Sequence, residues 1–188
     1  MTEKIWDGEL IEERVVIWDS DSVNLYDESG YGKPLPEEDP KRVEMDLVEA
    51  AYMVEKGKMK ITTKDGGKKK KLDFEDLMKI GSERVNEFHT QYTVYRDLRE
   101  RGYLVKTGYK FGCHFRVYER GVKLKRGPKA AHEHTKFVVH GVAEESAFSL
   151  PEMSRAVRLA HNIRATMVWA VCDRENDVTY YTIQRITP

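Results

Sequence analysis

A chain of 188 residues, 40% hydrophobic and 34% charged, has material for one large domain or two small ones, each with a core of its own. No run approaches the roughly 18 apolar residues of a membrane span, and the acidic start MTEKIWDGELIEE is unlike a secretory leader, so a soluble, cytoplasmic protein is expected. Cys113 and Cys172 are too few for a disulfide framework, and the formal net charge of zero hides an asymmetry: residues 1–55 carry sixteen acids against five bases.

In chain order, ERVVIWD and SVNLYDE are rich in β-branched and aromatic residues and flank a polar turn, which predicts a hairpin. The proline-rich stretch from Tyr31 to Pro40 reads as a loop. Asp46 followed by Glu49 resembles a capping box before a short amphipathic helix that Gly57 can end. A strand MKITTK, a Gly66-Gly67 turn with Lys68 to Lys71, and a capped helix from Asp73 to Ile80 complete a small α+β unit over 1–81. Those four lysines can touch RNA, although a charge run at a turn is more often a solvated surface.

Gly81 and Ser82 then mark a boundary before a helix from about Glu83 to Glu100, whose residues Val85, Phe88, Tyr92, Tyr95 and Leu98 form one buried stripe. The remainder, 82–188, continues with strands YLVKT and FGCHFRVY, a lysine-rich loop over 123–131 and the strand HTKFVVHGV, which His134 opens. Ser149 and Pro151 start a helix running to about Asn162, and TMVWAVCD and TYYTIQRI pair across the turn RENDV. The pattern predicts α+β for the first part and α/β with a mixed sheet for the second.

From Lys106 to Lys129 there are eight Lys or Arg and a single acid, Glu119, the footprint of a phosphate-backbone partner. Tyr118 and His134 flank the loop in this basic segment. The Walker, GxGxxG, GxSxG and HExxH signatures are absent, so nothing supports nucleotide hydrolysis or dinucleotide binding. Cys113, His114, His132 and His134 could in principle supply zinc ligands, but neighbours on a strand point to opposite faces, which disfavours a shared ion. RNA cleavage without metal suits the residues better. A 2′-hydroxyl is already placed beside its phosphate, so a base, an acid and a cation suffice. An ordinary tyrosine is a weak base at neutral pH, so cationic neighbours such as Arg116 and Arg120 have to favour its phenolate.

The stretches DLVEAAYMVEKG, YTVYRDLRERGYLVKTGYKFGCHFRVYERG, EHTKFVV and SRAVRLAHNIRATMVWAVCDRENDVTYYTI resemble the archaeal tRNA-intron endonucleases. The resemblance implies an N-terminal α+β domain and a C-terminal nuclease domain carrying a Tyr, His and Lys triad. It also implies metal-independent cleavage of precursor tRNA at bulge-helix-bulge elements, leaving 2′,3′-cyclic phosphate and 5′-hydroxyl ends, with no cofactor. Carried over, the general base is Tyr118 and the general acid His134, with His132 and His140 as neighbouring decoys. The lysine of a pattern like HSVRKT falls on Ala165, within His161-Asn162-Ile163-Arg164-Ala165-Thr166. Alanine there fits an engineered inactivation or a naturally impaired subunit working beside a partner. Arg158 and, less closely, Arg185 match the arginines that grip flipped bulge bases. Asp173, Glu175 and Asp177 match an acidic loop that docks another subunit in a homotetramer, with a heterotetramer including a structural subunit as the other assembly. A non-catalytic structural or RNA-binding subunit is the rival function, and a zinc-binding module the third.

Overall fold

The computed structural model describes residues 4–35, 41–108, 112–124 and 134–186. The chain divides into two compact units, Met1–Tyr92 and Thr93–Pro188.

In the first unit, β1 (Trp6–Ile11) turns through Glu12, whose φ is +52°, into the antiparallel β2 (Arg14–Ile17). The predicted partner of β2, SVNLYDE, is instead the helix α1 (Val23–Ser29). Tertiary contacts override its β propensity: Ser22 is buried at the N-cap with its hydroxyl against the carbonyls of Ile17 and Lys41, and Leu25 is buried. Gly30, in the left-handed region, closes the helix by donating to Tyr26, while Tyr31 N–H reaches back to Leu25. Short strands β3 (Lys33–Pro34) and β4 (Val43–Asp46) follow, then α2 (Leu47–Glu55). Asp46 caps α2 by accepting the Glu49 N–H at 2.8 Å. The Glu49 carboxylate, on a residue only 3% exposed, accepts the Gly32 N–H. Gly32 combines positive φ with backbone and side-chain atoms of Val43 and Glu44 where a Cβ would stand, so no other residue fits without strain.

The expected hairpin β5 (Met59–Asp65) and β6 (Lys68–Leu72) forms, with all four of its lysines exposed on β6. The first sheet has the order β3-β4-β2-β1-β5-β6 and is antiparallel apart from β1 and β5. A reciprocal capping box between Asp73 and Asp76 starts α3 (Phe74–Arg84), which runs through Gly81 because the Phe88 ring packs where a side chain would be. Val85 is extended and Glu87 has φ +55°, so α4 (Phe88–Glu100) begins five residues later than periodicity predicts. The stripe holds from Phe88 on, with Phe88, Tyr92, Tyr95 and Leu98 all buried, whereas Val85, expected to begin it, is half-buried and lies outside α4.

The second unit takes the rest of α4 and a five-stranded sheet, ordered β11-β10-β9-β8-β7, built from β7 (Leu104–Thr107), β8 (Phe115–Tyr118), β9 (Phe137–Ala143), β10 (Thr166–Cys172) and β11 (Val178–Thr182). Strands β9 and β10 run parallel, which requires the crossover helix α5 (Leu150–Asn162) between them; every other pairing is antiparallel. Ser149 and Glu152 form a reciprocal capping box on α5, with Pro151 in its first turn. Tyr95 packs against Phe115, and the Tyr180 hydroxyl donates to Asp97 at 2.6 Å while Arg101 holds the same carboxylate, which fixes the edge strand β11 to α4. Both sheets are mixed, so the chain is α+β overall, an N-terminal domain followed by a C-terminal one. No helix among the described residues is long and apolar enough to cross a membrane.

Candidate active site

Strand connectivity brings three chain segments together at one end of the second sheet. Phe137, the first residue of β9, lies opposite Val117 of β8 on one side and Thr166 of β10 on the other. One residue earlier, the Lys136 N–H donates to Val117 O and the Lys136 carbonyl accepts from Thr166 N–H, both at 2.9 Å. Sequence positions near 118, 135 and 165 therefore converge, although nothing in their spacing announces it.

At this convergence is a cleft of about 550 Å³ lined by Glu119, His134, Thr135, Lys136, Ile163, Arg164 and Thr166. His134 is exposed and precedes β9 by three residues instead of opening it. Ala165 is half-buried, packed against the core cluster of Val138, Ala160 and Met167, with its N–H donated to Ala160 O. Arg164, with φ +58°, makes the turn from α5 into β10. Tyr118 ends β8, yet its side chain is only 2% exposed and is not part of the cleft lining; the neighbouring Glu119 is. The arginines expected beside it are engaged elsewhere too: Arg116 Nε–H donates to Thr107 O, and the Arg120 guanidinium lies 4.9 Å from the Tyr103 ring centre.

Sequence reasoning missed Lys136, Glu119 and Arg164. Lys136 and Glu119 form an ion pair across the cleft, both side chains about half exposed. The available signal was the segment EHTKF itself, whose lysine stands two residues after the candidate acid. Arg158 is exposed on α5, outside this lining, and Arg185 is exposed after β11. In the β10–β11 turn, Asp173 is consumed internally: its carboxylate accepts the N–H groups of Glu175 and Asp177, both at 2.9 Å. Glu175 and Asp177 are exposed, and Arg174 pairs with Glu144 and Glu145. His132 and the loop residues 125–131 lie outside the described residues.

A second cleft, of about 440 Å³, lies along the N-terminal half of α5 and is lined by Cys113, Val138, His140, Phe148, Arg155, Met167 and Trp169 among others. His140 stacks on His114, ring centres 4.3 Å apart. The His114 Nδ1 accepts the Gly141 N–H at 3.1 Å, and burial, with His140 beside it, pushes the His114 pKa down to about 4. Burial likewise pushes the Cys113 thiol up to about 12 and Cys172 up to about 11. Neither cysteine is in a disulfide, and at neutral pH both are inert thiols. Among the described residues no group of three or more His, Cys, Asp or Glu stands in a metal-binding arrangement.

The family model for the tRNA intron endonuclease catalytic C-terminal domain matches residues 88–180, and that for the N-terminal domain matches residues 6–78. The tRNA-splicing endonuclease of Thermococcus kodakarensis is 40% identical over 176 residues, covering 93% of this chain and 95% of that protein. That of Thermococcus onnurineus is 44% identical over 140 residues, 74% of each chain. The Methanococcoides burtonii tRNA-splicing endonuclease is 37% identical over 96% of this chain, which spans only 48% of that longer protein. The chain belongs to the tRNA intron endonuclease family.

Proposed function

We propose that this chain is a tRNA-splicing endonuclease subunit that cuts precursor tRNA at bulge-helix-bulge sites by metal-independent attack of the 2′-hydroxyl, leaving 2′,3′-cyclic phosphate and 5′-hydroxyl ends. The observation that carries the reading is the cleft at the strand ends, lined by His134 and by Arg164 and Thr166, the residues on either side of Ala165 in the chain, within the stretch matched to the catalytic domain. Residues 82–188 are then the catalytic domain and 1–81 the N-terminal one, working in the cytoplasm without a cofactor. His134, exposed in the cleft, protonates the departing 5′-oxygen. Tyr118 takes the 2′-proton, which requires its buried ring to turn towards the cleft when RNA binds. Arg158 and Arg185 grip unpaired bases by stacking, a contact worth roughly 0.5–2 kcal/mol. Glu175 and Asp177, with Asp173 shaping their turn, dock a second subunit in a homotetramer or a heterotetramer.

Ala165 removes the ammonium that would face the developing charge on the phosphorane. Changing Ala165 to Lys is expected to raise cleavage of a bulged RNA helix, measured in chelator, by about 10²–10³. Loss of His134 in that variant should remove the gain. A lysine variant of unchanged assembly size that leaves such an RNA intact would overturn the endonuclease reading in favour of a non-catalytic RNA-binding or structural subunit.

A further inference from the structure

The charge missing at position 165 has a neighbour that can replace it. Lys136 is held by its own peptide between the two segments that matter: its N–H is bonded to the residue before Tyr118, and its carbonyl to the residue after Ala165. Adjacent strands lie about 4.8 Å apart, a gap within reach of a lysine's flexible four-carbon stem. Its side chain lines the same cleft as His134 and Thr166. We propose that Lys136 supplies, from the start of β9, the cation that Ala165 withholds from the start of β10, so that cleavage by this chain runs on Lys136.

The proposal rests on the endonuclease reading and deepens it. Arg164 also lines the cleft, but its peptide N–H is bonded back to His161 in the turn out of α5, whereas the Lys136 peptide is bonded to both neighbouring strands. Lys136 is held at the cleft by Glu119 through an ion pair whose two side chains are 43% and 50% exposed. A pair this wet is weak, so an incoming phosphate can take the ammonium from the carboxylate. In the cleavage step the 2′-oxygen bonds to phosphorus and the bond from phosphorus to the 5′-oxygen breaks. One proton leaves the 2′-hydroxyl for Tyr118, reacting as its phenolate, and one passes from His134, reacting as the imidazolium, to the 5′-oxygen. Lys136 forms no bond; it faces the non-bridging oxygens while their charge grows.

The test compares single-turnover cleavage of a bulge-helix-bulge RNA in chelator by the parent chain and by Lys136→Met, Ala165→Lys, the double variant and Glu119→Gln. The parent should cut slowly and Lys136→Met at least about tenfold more slowly at saturating RNA, with RNA affinity changed only a few-fold. Ala165→Lys and the double variant should cut at the same rate, since a lysine at 165 makes Lys136 redundant. Glu119→Gln, which frees the ammonium, should speed the parent. Equal rates for parent and Lys136→Met overturn the proposal, as does a double variant slower than Ala165→Lys, which would give Lys136 a structural role. A silent parent beside an active Ala165→Lys overturns it too and leaves the endonuclease reading intact. If no variant cuts, both fall.

Discussion

Helix α5 borders two clefts of similar size that differ in almost every other respect. At its C-terminal end the lining is charged and exposed, with His134, Lys136, Glu119 and Arg164 drawn from strand ends and turns. Along its N-terminal half the lining is mainly apolar and aromatic, although it includes Glu152 and Arg155, with Phe148, Trp169 and Met167 beside a stacked histidine pair, one ring of which burial keeps neutral. Histidine alone therefore does not mark a catalytic site. His134 is exposed, with Lys136 and Arg164 in the same lining, which suits proton transfer, whereas His114 spends its Nδ1 on a backbone N–H and serves packing. Substitutions in the first cleft should change rate and spare stability; those in the second should do the reverse.

The sharpest break of that contrast would come from His134 and Trp169. His134→Ala is expected to lower cleavage by about 10²–10⁴ with an unchanged melting temperature. Trp169→Ala should cost about 3–5 kcal/mol in denaturant unfolding, because it empties the core between α5 and the sheet. A destabilised His134→Ala, or a fully stable Trp169→Ala, would erase the distinction.

The histidine pair gives a smaller, pH-dependent effect. His114 has a folded pKa near 4 against an ordinary value of 6.5, so below pH 6.5 the unfolded chain binds the extra proton. Its contribution is complete above about pH 6.5 and is lost as pH falls towards 4, on the order of 3 kcal/mol in all. His114→Gln should flatten the stability profile in that window, measured by denaturant titration; an unchanged slope would show that another group titrates. Smaller again is Tyr180→Phe, which strands part of the Asp97 carboxylate and should cost about 1–2 kcal/mol. The smallest effect should come from the first unit. Replacing Lys68 to Lys71 by Gln should leave the cleavage rate at saturating RNA unchanged and, if those exposed lysines touch phosphates, lower the salt slope of RNA binding by up to about 3.

The sequence determined what local chemistry can encode. Capping residues Asp46, Asp73 and Ser149 start their helices as read, and the stripe from Phe88 to Leu98 is core because its period matches one helix face. The motifs around Tyr118, His134 and position 165 were legible as family resemblance. Local reading failed where non-local packing took control: SVNLYDE became α1 through the burial of Ser22 and Leu25, and Gly81 stayed helical under the Phe88 ring. The site needed the tertiary structure most. Lys136 is 29 residues before Ala165, and only the parallel pairing of β9 with β10, imposed by the α5 crossover, puts their backbones side by side. Register between distant strands is set by which faces are buried, and no window of sequence carries that information.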